Sequence, residues 1–142
     1  MTTTFVLDSS VALAWVFPDE TTKATARLLD DLAAGADAWV PALWHLELGN
    51  VLLTSQRRGR IARAAIEGFL TKLGTYRITI DDETMAQAWN RTLDLAVQYQ
   101  LTTYDAAYLE LALRRNLPLA TLDGDLIGAA KASGVSLCLS AK

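Results

Sequence analysis

The sequence contains one cysteine, Cys138, so no disulfide can form within the chain. Domains that depend on disulfides belong to oxidising compartments, and we therefore expect this chain to reside in a reducing cytoplasm. Histidine is equally scarce, with His45 the single example. One histidine and one cysteine, the latter predicted to lie inside a strand, cannot build a zinc site, and we interpret both residues as structural.

Long apolar runs are also missing. No stretch approaches the roughly 18 apolar residues that a membrane-spanning helix needs. The first residues carry no basic side chain, and Asp8 interrupts the first apolar stretch early. We therefore expect neither a membrane segment nor a signal peptide. Repeats, low-complexity tracts and linkers are absent too, so residues 1–142 are expected to form one domain.

Positive charge is not in excess. The net charge is −3, which taken alone argues mildly against a nucleic-acid ligand. An active site made of carboxylates would itself bias that count, so the local distribution of charge matters more than the sum. The clearest basic cluster contains Arg57, Arg58 and Arg60. These residues are candidates for contact with phosphate groups, and a solvated loop is the alternative.

The composition, 51% hydrophobic and 20% charged, is that of a globular protein. Short β-prone runs alternate with segments of helical periodicity. Strands are predicted at residues 4–7, 38–40, 76–80, 118–122 and 135–139. Helices are predicted at residues 9–17, 20–34, 41–56, 61–73, 83–99, 102–116 and 126–132. The alternation predicts an α/β fold, in which helices cover both faces of a mostly parallel sheet.

Two acids follow predicted strands. Asp8 ends the first strand and Asp123 the fourth, which places both at the carboxyl edge of the sheet, where binding sites form. Asp8 could instead cap a helix, although Ser9 and Ser10 could do so equally well. Asp123 opens an Asp-Gly turn signal and could be a turn residue. Thr121 lies two residues before Asp123 and points the same way, so the pair suits a phosphate or a metal-bound water.

Two further acids are predicted on helices. Glu47 falls, with Asn50 beside it, in a helix that is apolar nearly all round and is therefore expected to be buried. A carboxylate there is costly unless it is paired or metal-bound, and a solvated edge position is the alternative. Asp105 lies in the first turn of its helix, where it could simply complement the helix dipole. Asp125 is a candidate supporting acid or a turn residue.

Taken together, Asp8, Glu47, Asp105 and Asp123 point to a metal site; we call them the four acids. Hard divalent ions such as Mg²⁺ prefer carboxylate oxygen. At about 4 Å, each ionised pair would repel by roughly 4 kcal/mol in an effective dielectric near 20. Four acids in one pocket would therefore not remain ionised together without cations.

A resemblance over essentially the whole chain rests on an ordered set of motifs. They are Val6-Leu7-Asp8-Ser9-Ser10-Val11, Ala14-Trp15 with Pro18-Asp19-Glu20, Glu47 with Asn50, Arg57-Arg58-Gly59-Arg60, Thr103-Tyr104-Asp105-Ala106-Ala107-Tyr108 and Leu119-Ala120-Thr121-Leu122-Asp123. With this set the chain resembles PIN-domain nucleases, and most closely the VapC-type toxins of bacterial toxin–antitoxin pairs.

The resemblance implies a three-layer α/β/α fold with a five-stranded parallel sheet in the order 3-2-1-4-5. It implies a homodimer, a cognate antitoxin and an endoribonuclease whose Mg²⁺ or Mn²⁺ is held by the four acids and activates water. We expect Ser9, Asn50, Thr121 and Asp125 to support these acids, and Arg57, Arg58 and Arg60 to contact RNA.

Other functions are open at this point. A housekeeping nuclease of the same fold that is not a toxin is one alternative, and a catalytically silent binding module is another, although all four acids are present. A magnesium phosphatase is disfavoured because the second aspartate expected two residues after Asp8 is Ser10. A phospho-receiver domain is disfavoured because no suitable lysine follows Val135. The sequence also lacks a Gly-x-x-x-x-Gly-Lys loop for nucleoside triphosphates.

Overall fold

A parallel sheet with β1 in its interior organises the chain, whose computed structural model describes residues 2–139. The strands are β1 Thr4–Leu7, β2 Asp37–Val40, β3 Arg77–Ile80 and β4 Leu119–Ala120, in the order β3-β2-β1-β4. All three pairings are parallel. Phe5, Val6 and Leu7 are fully buried. Because neighbouring residues of a strand point to opposite faces, β1 is covered on both sides, as the sequence predicts for an α/β fold.

Helices account for most of the remaining chain. Those in the described residues are α1 Ser9–Val16, α2 Lys23–Ala33, α3 Trp44–Arg57, α4 Arg63–Leu73, α5 Thr84–Gln87, α6 Arg91–Tyr99, α7 Thr103–Arg115 and α8 Gly124–Ser133, with a 3₁₀ turn at Pro18–Glu20. Helix α7 packs on β1, on α6 and on α8. Between residues 2 and 139, no helix combines the length and the apolar character that crossing a membrane requires.

The prediction of a fifth strand at residues 135–139 is wrong within the described part of the chain. This segment lies beside β4, where the predicted order puts it, but it forms only an isolated bridge between Leu119 and Leu137. The reason is the length of β4, which has two residues. The backbone hydrogen bonds between the two segments involve Leu119, whose N–H donates to Ser136 and whose carbonyl oxygen accepts from the N–H of Cys138, and in the described residues none continues the ladder at Thr121.

The single helix predicted at residues 83–99 is also wrong, because the structure divides it into α5 and α6. The break lies at Asn90, whose backbone is not helical (φ −112°, ψ −104°). The side-chain amide of Asn90 donates to the carbonyl oxygen of Ala86 at 3.2 Å. Asparagine competes in this way with the backbone hydrogen bonds of a helix, which accounts for the interruption.

Helix α3 is less buried than its apolar composition predicts. Trp44, Leu48 and Leu52 face the core, whereas Leu46 is 79% exposed and Val51 is also exposed. The spacing of the three core residues at intervals of four gives α3 one buried face. The opposite face of α3 is exposed to solvent. A carboxylate at the border between the buried face and the exposed face, which we call the rim of α3, can therefore remain partly hydrated.

A buried ion cluster joins the end of β3 to α7. Arg114 contacts Asp81 at 2.6 Å, Glu110 at 2.7 Å and Glu83 at 3.3 Å. Asp81 and Glu110 are almost fully buried. Although burial by itself raises the pKa of Asp81, the hydrogen bonds and charge of Arg114, with a hydrogen bond from Thr84, hold that pKa below its ordinary value. The Arg114 cluster therefore consists of buried acids matched by a guanidinium.

Replacing Arg114 with methionine should lower the free energy of unfolding by about 3 kcal/mol, because two buried carboxylates lose their partner. Urea unfolding at neutral pH measures the change. Arg27→Met, at an exposed position of α2, is the matched control and should change stability by less than about 0.5 kcal/mol. Equal stability of the two variants would contradict a supporting role for the cluster.

Candidate active site

Asp8 stands where β1 ends and is 5% exposed. Its Oδ2 accepts hydrogen bonds from Ser10 Oγ and Thr121 Oγ1, both at 2.7 Å. The side chain makes no capping hydrogen bond to α1, so the helix-cap alternative does not describe it. Burial raises the pKa of Asp8, and the charge of Asp123 adds to the effect, while the two hydroxyl hydrogen bonds oppose it. Two neutral donors thus hold a buried acid in place without neutralising its charge.

The same hydroxyls connect Asp8 to the loop between β4 and α8. Thr121 Oγ1 accepts from the backbone N–H of Asp123 at 3.0 Å, and Ser10 Oγ accepts from that of Leu122 at 3.0 Å. Asp123 Oδ2 in turn accepts from the N–H of Leu126 at 2.9 Å and caps α8. The structural role considered for Asp123 is therefore present, and it fixes the carboxylate next to Asp8. Ser10 was not among the predicted site residues.

Glu47 lies in the first turn of α3 and is half-buried. Its Oε1 accepts a hydrogen bond of 2.5 Å from the hydroxyl of Tyr108, a residue of α7. Burial raises the pKa of Glu47, as do the charges of Asp8 and Asp105, against the lowering effect of the Tyr108 hydrogen bond. Glu47 therefore faces the same region as the strand-end acid, and Tyr108 is a second site residue that the sequence did not predict.

Asp105 lies in the first turn of α7, three residues before Tyr108 and so on the same face of the helix. Thr102 caps the helix by accepting from the backbone N–H of Asp105 at 3.1 Å. Burial raises the pKa of Asp105 from 3.8 to about 6, with further contributions from the charges of Asp123, Asp8 and Asp125. At the carboxyl edge of β1 and β4, the pKa values of Asp8, Glu47 and Asp105 are thus each raised by the charge of at least one other member of the four acids.

The remaining predicted supporting residues lie on α1, α3 and α8, and of these Ser9 and Asp125 affect the pKa values of Asp8 and Asp105, respectively. Ser9 is half-buried at the start of α1, Asn50 is exposed one turn after Glu47 on α3, and Asp125 is exposed near the start of α8. Only Asp81, Asp82 and Glu83 offer three metal-ligating atoms within 4.8 Å of one another in residues 2–139. The four acids are therefore more widely spaced than that trio, as mutual repulsion favours.

Asp81, Asp82 and Glu83 also follow a strand, but unlike the four acids they lie beside arginine side chains. Arg114 pairs with two of them, and Arg115 approaches Asp81 at 3.8 Å. A guanidinium takes the place beside these carboxylates that a cation would need. This cluster joins β3 to α7, and we assign it a structural role.

The three basic residues predicted to contact phosphate groups lie in different surroundings. Arg57 and Arg58 are exposed at the end of α3, about 15 Å along the helix axis from Glu47. Arg60 instead contacts Asp19 at 3.0 Å and Glu20 at 2.7 Å, and its guanidinium lies over the ring of Phe17. The charge of Arg60 is thus already matched within the chain.

Comparison with known proteins gives consistent matches. Residues 5–132 match the PIN domain family. Exonuclease VapC9 from Pyrobaculum aerophilum is 33% identical over 114 residues, which cover 75% of this chain and 83% of that protein. The crystal structure of PAE2754 from Pyrobaculum aerophilum has 25% identity and a TM-score of 0.67, covering 91% of this chain and 86% of that one. A toxin–antitoxin complex from Klebsiella pneumoniae, at 18% identity and a TM-score of 0.59, covers 96% and 98% and shows the likeness of fold alone.

Asp105→Asn should stabilise the metal-free protein at neutral pH. The folded pKa of Asp105, about 6, lies above its ordinary 3.8. The native state therefore holds a proton that the unfolded state has lost, and stability falls as pH rises through this interval. Because the carboxyl is partly exposed, water screens the repulsion, and the gain is on the order of 1 kcal/mol or a few degrees in Tm.

Thermal melting in EDTA between about pH 5 and about pH 7.5 measures this difference. The wild type should lose stability across the range, and Asp105→Asn should lose less. Asp30→Asn removes an exposed acid from α2 and should keep the wild-type slope. A lower Tm for Asp105→Asn than for the wild type at the upper pH would contradict the repulsion among the four acids.

Proposed function

The chain belongs to the PIN domain family, and on this premise we propose that it is a divalent-metal-dependent endoribonuclease, the toxin of a type II toxin–antitoxin pair. The observation that carries the proposal is the convergence of the four acids. They come from the end of β1, from α3, from α7 and from the start of α8, and charges within the group raise the pKa values of Asp8, Glu47 and Asp105. No guanidinium or ammonium in the described residues pairs with any of them.

The donor set fits Mg²⁺ or Mn²⁺. Both ions take oxygen ligands, and all four acids supply carboxylate oxygens. Asp8 uses Oδ2 and Glu47 uses Oε1 for hydrogen bonds within the protein, so their second oxygens remain available. The excess negative charge of the site would attract a cation. We propose that each of the four acids either coordinates the ion directly or accepts a hydrogen bond from a water molecule bound to it.

The proposed chemistry is hydrolysis of a phosphodiester. A bound divalent ion lowers the pKa of a water molecule and stabilises the negative charge that develops on the phosphate. The chain's own contribution is to hold the acids in fixed positions. Ser10 and Thr121 hold Asp8, the backbone of α8 holds Asp123, and Tyr108 holds Glu47. Histidine is not needed as a general base in this scheme.

Partners follow from the same proposal. The relative from Pyrobaculum aerophilum carries a VapC name, and the Klebsiella pneumoniae neighbour is a toxin–antitoxin complex, which supports a cognate antitoxin here. Exposed apolar side chains around the start of α6 support a homodimer, because Trp89, in the turn between α5 and α6, is 90% exposed and Leu93 and Val97, one turn apart on α6, are exposed as well. Side chains of this kind are enriched at protein interfaces.

Purified protein should cleave RNA with Mg²⁺ or Mn²⁺ and should stop in EDTA, because the four acids act through the ion. Asp8→Asn should lower the rate at least about 100-fold while the protein stays folded. Asp30→Asn, which changes an exposed acid away from the site, is the matched control. Release of fluorescent product from labelled RNA gives the rate. Undiminished cleavage in EDTA, or by Asp8→Asn, would contradict the metal mechanism.

The same variants separate the related functions. A circular RNA has no ends, so its cleavage distinguishes an endonuclease from the exonuclease that the name of the Pyrobaculum aerophilum relative indicates. In cells, induction of the wild type should arrest growth and induction of Asp8→Asn should not. Cleavage without growth arrest would favour a housekeeping nuclease, and folded protein without any cleavage would favour a binding module.

Arg57 and Arg58 are proposed to contact RNA phosphates, whereas Arg60 is proposed to support their loop through Asp19 and Glu20. Replacing Arg57 and Arg58 together by alanine should make the salt dependence of RNA binding shallower, by about 0.7 in logarithmic slope for each lost single-strand contact. Arg60→Ala should leave the slope unchanged, because that charge is already neutralised. Fluorescence anisotropy on the Asp8→Asn background, which does not cleave, measures the slope. The opposite ranking of the two variants would refute the division of roles.

A further inference from the structure

We propose that Tyr108 is the positioning residue for Glu47 and holds its carboxylate so that one oxygen would be presented to the metal. The inference rests on the proposed function and adds a residue to it. The observation is the hydrogen bond of 2.5 Å from the Tyr108 hydroxyl to Glu47 Oε1, formed between α7 and α3 across 61 residues of sequence.

Glu47 needs such a partner because of where it stands. It lies on the rim of α3, and its neighbours Leu46 and Asn50 are exposed. A glutamate in this setting can adopt several rotamers, and fixing one of them costs about 1 to 2 kcal/mol of conformational entropy. Helix α3 itself supplies no hydrogen bond to the Glu47 side chain. The orientation is therefore set from α7.

Tyr108 is suited to this task because it is itself immobile. The residue is fully buried, in the core cluster that includes Leu109, Leu111 and the strand residues of β1. A ring packed on all sides is confined to a single rotamer. Only its hydroxyl reaches the site. Because the phenol cannot move, its hydrogen bond restricts the Glu47 side chain to one orientation. Hydrogen bonds to metal ligands commonly orient those ligands in this way.

The surrounding charges fix the direction of this hydrogen bond. Burial raises the pKa of Tyr108, and the charges of Asp8 and Glu47 raise it further. The hydroxyl consequently stays protonated at neutral pH and donates. It is a neutral donor among acids, so it steadies Glu47 without cancelling the charge that attracts a cation. The hydrogen bond occupies Oε1 and leaves Oε2 for the ion.

Tyr108→Phe tests the inference, since it removes one oxygen atom and keeps the ring. The Kd for Mn²⁺, measured by electron paramagnetic resonance of the free ion, should rise about tenfold or more. Tyr99→Phe, the same substitution at the end of α6, should leave it unchanged. In the Glu47→Gln background, adding Tyr108→Phe should change Kd less than twofold, because the residue it acts through is already altered.

The outcomes distinguish the two proposals. Absence of Mn²⁺ binding by the wild type would overturn the proposed function, and this inference with it. Binding by the wild type with an unchanged Kd in Tyr108→Phe would overturn the inference alone, even if the variant melts at a lower temperature in EDTA, since that would indicate a purely structural role. Should Tyr108→Phe fail to fold, Glu47→Asp replaces it, because the shorter side chain draws the carboxylate away from the Tyr108 hydroxyl at a half-buried position, and retained wild-type affinity there would likewise overturn the inference.

Discussion

The pairing of β1 on both edges is the constraint on which the rest of the molecule depends. β1 lies between β2 and β4, and its side chains are buried on both faces. From β1 the chain adds β2 and then β3 on one side of the sheet, and it adds β4 on the other side. The connections that leave β1 and β4 therefore run in opposite directions. Open α/β sheets leave a crevice at such a point. Asp8 enters this crevice because it is the first residue beyond the strand.

The protein contains two groups of acids beyond strand ends, and it stabilises them in opposite ways. At the end of β3, Asp81 is buried against Arg114, and guanidinium charge keeps its pKa low. At the end of β1, Asp8 is buried against two hydroxyls, and its pKa is raised. Hydroxyls fix a carboxylate in space without neutralising it. The first group is complete within the chain, whereas the second keeps a negative charge that only something outside the chain can match.

Local pattern indicated three of the four acids, and Asp105 depended on the set as a whole. Asp8 and Asp123 follow β-prone runs, which suffices to place them at one edge of the sheet. Glu47 stood out as a carboxylate in an apolar helix, whereas a helix-dipole role explained Asp105 equally well until the joint pattern and the resemblance to a family favoured a site. Tyr108 escaped prediction because an aromatic residue in an apolar helix normally indicates core. It is core, and only the hydroxyl at its end reaches Glu47.

The errors in the fold prediction have local and non-local causes. The division between α5 and α6 depends on one side-chain hydrogen bond of Asn90, which periodicity does not reveal. The absence of a fifth strand from the described residues depends on the shortness of β4, which pairs with the following segment through Leu119. The ion pairs of Arg60 with Asp19 and Glu20 join residues about 40 apart in sequence, and no local pattern indicates them. Pairings at that distance require the tertiary structure.

The hydrogen bond between Asp8 and Thr121 spans 113 residues, and this separation has a consequence for biosynthesis. A ribosome makes the β1 end of the site first and the β4 end much later. Until Thr121 and Asp123 have emerged from the exit tunnel, Asp8 lacks one of its two hydroxyl donors and the fourth acid does not exist. A chain still being translated therefore cannot assemble the crevice, however well its earlier helices have formed. The order of translation alone therefore keeps the site incomplete until the segment after β4 has been made.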